Sequence, residues 1–433
     1  MVGLSRDAVP MRWPSGPLEI ARRGLRPTWT RLLVVLVAAA AVAQQQGGPR
    51  NGTFEGQPSI TLSNDKLQVT VMVEGSAISN VVMTDDAEKM NPLWNPMRLA
   101  REAGRQAQFN GTLGHFVCVD GFGRPSAEER AAGLPQHGEA HITKFDIIMG
   151  KDGATSSVSL SGKLPIVQEA FTRTFHIVDG ESVMYVDSRL ENLMGFDRPV
   201  NWAEHATVAA PFLQPGITTM ALSGSRSQDR DYLTNGTGRG GAPNAAGGRG
   251  GSGPAATQPA TQRRLVSGQD FTWPMAPGLD GKPIDMSAVP DNPHYIDHAA
   301  TLLDPARQLE WVAAFNSSKR TVYGYVFKRE EYPWVQHWGN YPAETQVVRG
   351  MEFATQPYDI PRREVIANGP MFGTPTYRWL PAKSTIESHF LLFYTRVPDG
   401  FRKVDDVRLE NGKIVIEDRG AQRRVTLAAS RGL

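Results

Sequence analysis

Apolar and polar positions alternate along much of this chain with the period of a β-strand. The stretch "ITLSNDKLQVTVMVEGSAISNVVMT" reads as successive strands broken by turn residues. Between about 141 and 212 almost everything alternates. "EAFTRTFHIVDGESVMYVDSRLEN" is a hairpin with Asp179-Gly180 in its turn. A second β-rich block, about 298–395, contains "LEWVAAFN", "RTVYGYVFK" and "STIESHFLLFYT". Helical signals are few. "WNPMRLAREAG" predicts one short helix. "PSAEERAAG" predicts another, with Ser126 as cap, Glu129 three residues on and Gly133 ending it. Long antiparallel segments with so little helix predict an all-β protein, a large antiparallel β-sandwich.

One break interrupts the pattern. Residues 234–264 are rich in Gly, Ala and Pro and nearly free of large apolar side chains. Such a stretch cannot bury enough surface to offset the entropy of ordering it. It is either a linker between domains or a disordered insertion in a surface loop. We prefer the insertion, because neither flank alone patterns as a complete sandwich. The expected organisation is a disordered segment at 44–57, one β-sandwich domain at 58–398 and a C-terminal tail at 399–433.

The start of the chain changes the charge picture. An Arg- and Pro-rich stretch leads into "LLVVLVAAAAVA", residues 32–43, too short to span a bilayer comfortably and ending in Ala41-Val42-Ala43. Residues 1–43 thus read as a signal peptide, which predicts export to the periplasm or outside the cell. The alternative is an uncleaved leader, the one route to a membrane. The leader holds six arginines and two acids, so 40 basic and 42 acidic side chains remain and the formal charge falls from +2 to −2. No basic stripe is left to argue for nucleic acid. Cys118 is the only cysteine, so no internal disulfide is available.

The polar residues pose the functional question. In "NWAEHATVAAPFL" the charged pair Glu204 and His205 interrupts an apolar run. "GLPQHGEAHITKFDI" places His137 and Glu139 at the end of a loop and His141 at the start of a strand. "PHYIDHAATLLDP" sets Asp297 beside His298, "REEYPWVQHWGNYP" gathers Tyr332, Trp334, His337 and Trp338, and "RGMEFATQPYDIP" carries Glu352 in an apolar strand. Singly, each has a structural explanation: a hydrogen-bonded core histidine, an aromatic core, a turn acid. His205 and Glu352 stand apart, because apolar neighbours raise the free-energy cost of a charge. Together, aromatic faces beside Asp, Glu, His and Asn suit a sugar, whose C–H surfaces stack on rings while its hydroxyls need donors and acceptors. A metal site is disfavoured: there is no CxxC pair or H-x-x-x-H helix, and His137 and His141 would lie about 13 Å apart along an extended strand. No G-x-S-x-G elbow nominates a serine nucleophile.

The order "HGE" (137–139), "NWAEH" (201–205), "YIDHAATLLD" (295–304) and "GMEFATQP" (350–357) resembles the aldose 1-epimerase family, within the galactose mutarotase-like superfamily. The similarity runs over about 58–398 and implies a large β-supersandwich that needs no cofactor and no metal. By this resemblance His205 is the general acid at the ring oxygen and Glu352 the base that takes the anomeric hydroxyl proton. His137 resembles the second histidine that bonds the sugar, and Asp297 the aspartate that holds its hydroxyls. Glu139, Glu204, His115 and Trp338 complete the expected substrate-binding set. Three departures mark a divergent branch. Glu204 replaces the asparagine usual before the histidine, Phe353 and Ala354 separate Glu352 from Thr-Gln, and His115 stands where an arginine is usual. The implied activity is anomer interconversion of a monosaccharide or oligosaccharide ligand. The alternative is a secreted carbohydrate-binding protein on the same fold. The oligomeric state is left open. Because strand neighbours face opposite ways, Glu204 and His205 should not both face the sugar unless a bulge intervenes.

Overall fold

The computed structural model describes residues 48–230, 263–291, 295–341 and 347–433. Two antiparallel sheets carry the fold. The larger has fourteen strands, and the smaller, eight-stranded sheet runs from Thr218–Leu222 at one edge to Asp146–Asp152 at the other. Their facing sides close on one apolar core. Val117, Trp202, Ala206, Val208 and Phe353 come from the large sheet, and Phe171, Phe175, Val186, Tyr325 and Leu392 from the small one. Strands long enough to read as alternating in sequence form the small sheet. The Glu169–Val178 and Val183–Asn192 strands make the expected hairpin, with Gly180 at positive φ in its turn.

Both anticipated helices are present. In Ala127–Ala131 the Ser126 hydroxyl accepts from Glu129 N while the Glu129 carboxylate accepts from Ser126 N, a reciprocal cap. Pro96–Glu102 starts with Asn95 accepting from Arg98 N, and Pro96 sits where its missing N–H costs no hydrogen bond. Among the described residues, no helix is long and apolar enough to cross a membrane.

Two expectations at the ends of the domain are corrected. Residues 50–54, inside the segment expected to be disordered, form the strand Arg50–Phe54 paired with Gln57–Ser63. The expected tail folds as a three-stranded sheet of Asp406–Glu410, Lys413–Asp418 and Arg423–Ala428. Its Val407, Ile414, Ile416 and Leu427 pack on Tyr185, Trp311, Val326 and Phe393, covering the outer side of the small sheet in a second core. That cover is why Leu309–Asn316 and Thr321–Lys328 are buried on both faces and lack alternation. The 1–43 leader lies outside the described residues. Of the 234–264 segment only Arg263 and Arg264 are described, but the strands flanking it, Gly224–Asp229 and Asp270–Thr272, pair with each other.

Candidate active site

Five adjacent strands of the large sheet build the floor of a cleft of ≈ 400 Å³ on the side away from the inter-sheet core. They are His115–Val119, Trp202–Ala209, Glu352–Ala354, Trp334–Tyr341 and Tyr295–Leu303, in that order. Strand parity decides which side chains appear there. In Trp202–Ala209 the residues Trp202, Ala206 and Val208 belong to the inter-sheet core, so Glu204 points inward with them and His205 points out. Phe116 is paired directly with His205 and its ring stacks on the imidazole at 4.2 Å. Glu352 faces out because Phe353 faces in. Across the next strands, Trp338 and His298 are directly opposite one another, and both line the cleft.

The centre of the cleft is a pair, His205 Nε2 and Glu352 Oε1, 3.5 Å apart. Burial depresses the His205 pKa far below its ordinary value, helped by neighbouring His137. Burial, and then the negative charge of Asp359, push the Glu352 carboxyl well above the usual carboxylate range. On the other side of the ring, His205 Nδ1 lies 3.0 Å from Thr207 Oγ1. The Thr207 hydroxyl can donate to the His205 carbonyl at 3.5 Å, which leaves Nδ1 as the donor and Nε2 with its lone pair toward the glutamate. Glu352 Oε1 has no hydrogen-bond partner, and neither does the indole N–H of Trp338. Two such orphans beside one cleft are groups for a ligand to satisfy. Gly350 makes room for the carboxyl: a Cβ there would sit 2.2 Å from Glu352 Oε1.

Loops supply the walls. His137 and Gly138 both have positive φ, 69° and 77°, and a Cβ on Gly138 would meet the Val119 carbonyl at 2.4 Å. The glycine lets this loop press against the end of the floor strand. Gly123 N donates to His137 Nδ1 at 3.3 Å, so the neutral ring carries its proton on Nε2. Burial lowers the His137 pKa to about 3 and that of His141 to about 4. Trp94 meets Trp338 edge to face at 6.2 Å, adding an aromatic wall.

The structure sorts the eight expected site residues into two groups. His205, Glu352, His137 and Trp338 line the cleft. Asp297, Glu139, Glu204 and His115 do not. Asp297 faces the opposite side of its strand, where Arg264 grips both carboxylate oxygens (Nε at 3.0 and 2.9 Å). Its neighbour His298 takes the place in the cleft. Glu139 accepts from Ile166 N and Val167 N at 2.9 and 3.0 Å and tethers a loop. Glu204 lies in the sandwich interior and accepts from Arg173 Nη2 (2.7 Å), His115 Nε2 (2.8 Å), Trp202 Nε1 and Tyr332 Oη (both 3.2 Å). His115 is fully buried beside it, with its pKa lowered to about 4 by burial. No bulge brings Glu204 around: the pairing with the neighbouring strand is regular.

Three cleft residues are absent from the expected set: His141, His298 and Asp359. His141 does not start a strand. It sits in the 3₁₀ turn Ala140–Ile142, which curls the chain and brings its ring to 6.1 Å from His137, so the extended-strand separation does not apply. His298 had a signal in the two-residue period, had the cleft-facing parity of its strand been known. Asp359 lies on a loop with no local pattern. Among the described residues, no group of three or more His, Cys, Asp or Glu side chains has metal-binding geometry.

Comparison with solved structures identifies the fold. A candidate aldose 1-epimerase from Klebsiella pneumoniae superposes with a TM-score of 0.54 at 14% identity, over 80% of this chain and 82% of the other. A galactose mutarotase-like protein from Clostridium acetobutylicum gives 0.52 at 11% identity, over 81% and 99%. The Slr1438 protein from Synechocystis gives 0.51 at 12%, over 80% and 99%. The chain has the galactose mutarotase-like β-sandwich fold. No protein-family profile and no curated protein sequence matches it.

Proposed function

We propose that this protein is an aldose 1-epimerase-type isomerase that interconverts the anomers of an aldose in the cleft around His205 and Glu352. The observation that carries this reading is the unpartnered Glu352 oxygen set 3.5 Å from the unprotonated face of His205, inside an aromatic-walled cleft. Mutarotation removes a proton from the C1 hydroxyl and delivers one to the ring oxygen. The C1–ring oxygen bond breaks, an aldehyde forms at C1, and reclosure on its other face returns both protons. Both reacting oxygens are bonded to C1, so an acid and a base side by side can serve them together. This differs from the expectation of groups on opposite sides of the ring.

The pair holds one proton between the carboxyl and the imidazole. Moving it from Glu352 to His205 Nε2 produces a carboxylate base and an imidazolium acid with no net change in charge, so burial does not oppose the competent form as it would a lone ion. His137 Nε2–H is a donor for a sugar oxygen, and Trp338 offers a ring face with its orphan N–H. The described lining contains no lysine or arginine, which favours a neutral aldose over a sugar phosphate. The leader supports an exported location for this activity.

The test is anomer exchange followed by polarimetry or NMR on freshly dissolved glucose and galactose. His205→Ala and Glu352→Gln should each lower the rate by roughly 10²–10⁴-fold while the circular dichroism stays that of the wild type. Wild-type rates in both variants, or sugar binding by the wild type without any exchange, would defeat the isomerase reading.

A further inference from the structure

The small sheet ends at Asp146–Asp152, which pairs on one side only, with Thr155–Leu164. Seven residues of main chain therefore present N–H and C=O groups to an open edge. Three successive apolar side chains ride on it: Ile147, Ile148 and Met149 are 38%, 70% and 41% exposed. Ile147 and Met149 stand opposite Leu160 and Val158, both members of the inter-sheet core, so the core runs out into solvent at these two residues. Ile148 stands opposite Ser159 on the outer face.

We propose that this edge is a self-association surface, on which a second copy of the chain pairs its own Asp146–Asp152 strand antiparallel about a two-fold axis through Ile148. A two-fold axis normal to the sheet preserves side-chain faces, so only registers that pair residues of the same parity are allowed. Centred on Ile148, that residue meets itself and Ile147 meets Met149 twice, on the face that continues both cores. Asp146 falls opposite Gly150, and the exposed Lys144 falls opposite Asp152 at both ends. No two like charges meet. The allowed register one step away, centred on Met149, sets Asp146 against Asp152 twice and is repelled. Centring on Ile147 loses both Lys144–Asp152 pairs. Charge and apolar pattern thus select one register, and a second copy of the chain supplies the matching edge. The contact is one strand wide, which predicts a reversible dimer rather than an obligate one.

Sedimentation equilibrium of the full chain across a micromolar concentration series tests this. The wild type should shift from monomer to dimer, and Ile148→Lys should stay monomeric. Asp152→Lys, which sets two lysine side chains against each other at both ends, should weaken the dimer roughly tenfold. The double charge swap Lys144→Asp with Asp152→Lys should restore it. The anomer-exchange rate of each variant reports that it is folded, since the strand lies on the sheet that does not carry the cleft. A monomeric wild type, a dimer that survives Ile148→Lys, or a charge swap that fails to restore what Asp152→Lys lost would overturn the proposal.

Discussion

Glu204→Gln separates the two roles open to this residue. Glu204 and Arg173 are both fully buried, and their contact is 2.7 Å. Arg173 otherwise lies over the rings of Phe175 and Phe390, and its Nε and Nη1 have no hydrogen-bond partner. Burial alone would raise the Glu204 pKa, but the Arg173 charge and the His115 hydrogen bond outweigh it and leave the pKa below its usual value. The carboxylate therefore contributes stability above its unfolded pKa of about 4.3, and that contribution is lost as pH falls through the lower folded value. Replacing the carboxylate by an amide keeps the shape but strands the guanidinium, a change that costs about 3–5 kcal/mol. With a urea slope of at least ~3 kcal/mol/M for a domain of this size, the unfolding midpoint should drop by up to about 1 M at pH 7. The double variant Glu204→Gln with Arg173→Met removes both charges and should recover about 2 kcal/mol or more relative to the sum of the single losses. Because Glu204 faces away from the cleft, the folded single variant should keep the wild-type KM for sugar. A stability loss under about 1 kcal/mol, strictly additive losses in the double variant, or a raised KM would refute this account.

Other changes test the cleft and its surroundings. Gly350→Ala puts a Cβ where the Glu352 carboxyl lies and should reduce anomer exchange by about 10²-fold with little change in melting; an unaffected rate would show that the carboxyl position is not needed. Glu352→Gln should gain on the wild type in urea stability as pH rises. A carboxyl with a raised folded pKa is fully stabilised only below its unfolded value near 4.3, and loses about 1 kcal/mol per pH unit above it until the folded value is reached. An equal difference between the two proteins at pH 5 and pH 8 would contradict that sign. Asp297→Asn should cost about 1–3 kcal/mol by weakening the Arg264 clamp while leaving the KM for sugar unchanged; a KM effect without a stability effect would return Asp297 to the site.

Half of the expected site was legible because certain polar residues made little sense as packing. His205 and Glu352 sit in apolar strands, and His137 precedes a glycine at a loop end. The other half failed for one physical reason. Glu204 and Asp297 are as polar and as strand-bound as His205, but their strands are buried on both faces, Trp202–Ala209 along its whole length. Without an exposed face, alternation says that neighbours diverge but not which one meets the ligand. In each pair the acid went to a buried arginine, and the histidine to the cleft.

What the sequence alone determined is local. Period-two alternation fixed the strands of the small sheet, Asp179-Gly180 fixed their hairpin, and Ser126 with Glu129 fixed a helix start, since each depends on side chains a few residues apart. Tertiary structure decided which neighbours pair and which side is inside. Phe116 reaches His205 across 89 residues, and Trp338 reaches His298 across 40, only through strand register. That register is selected by burying whole sheet faces at once, a sum over distant contacts that no short stretch of sequence contains.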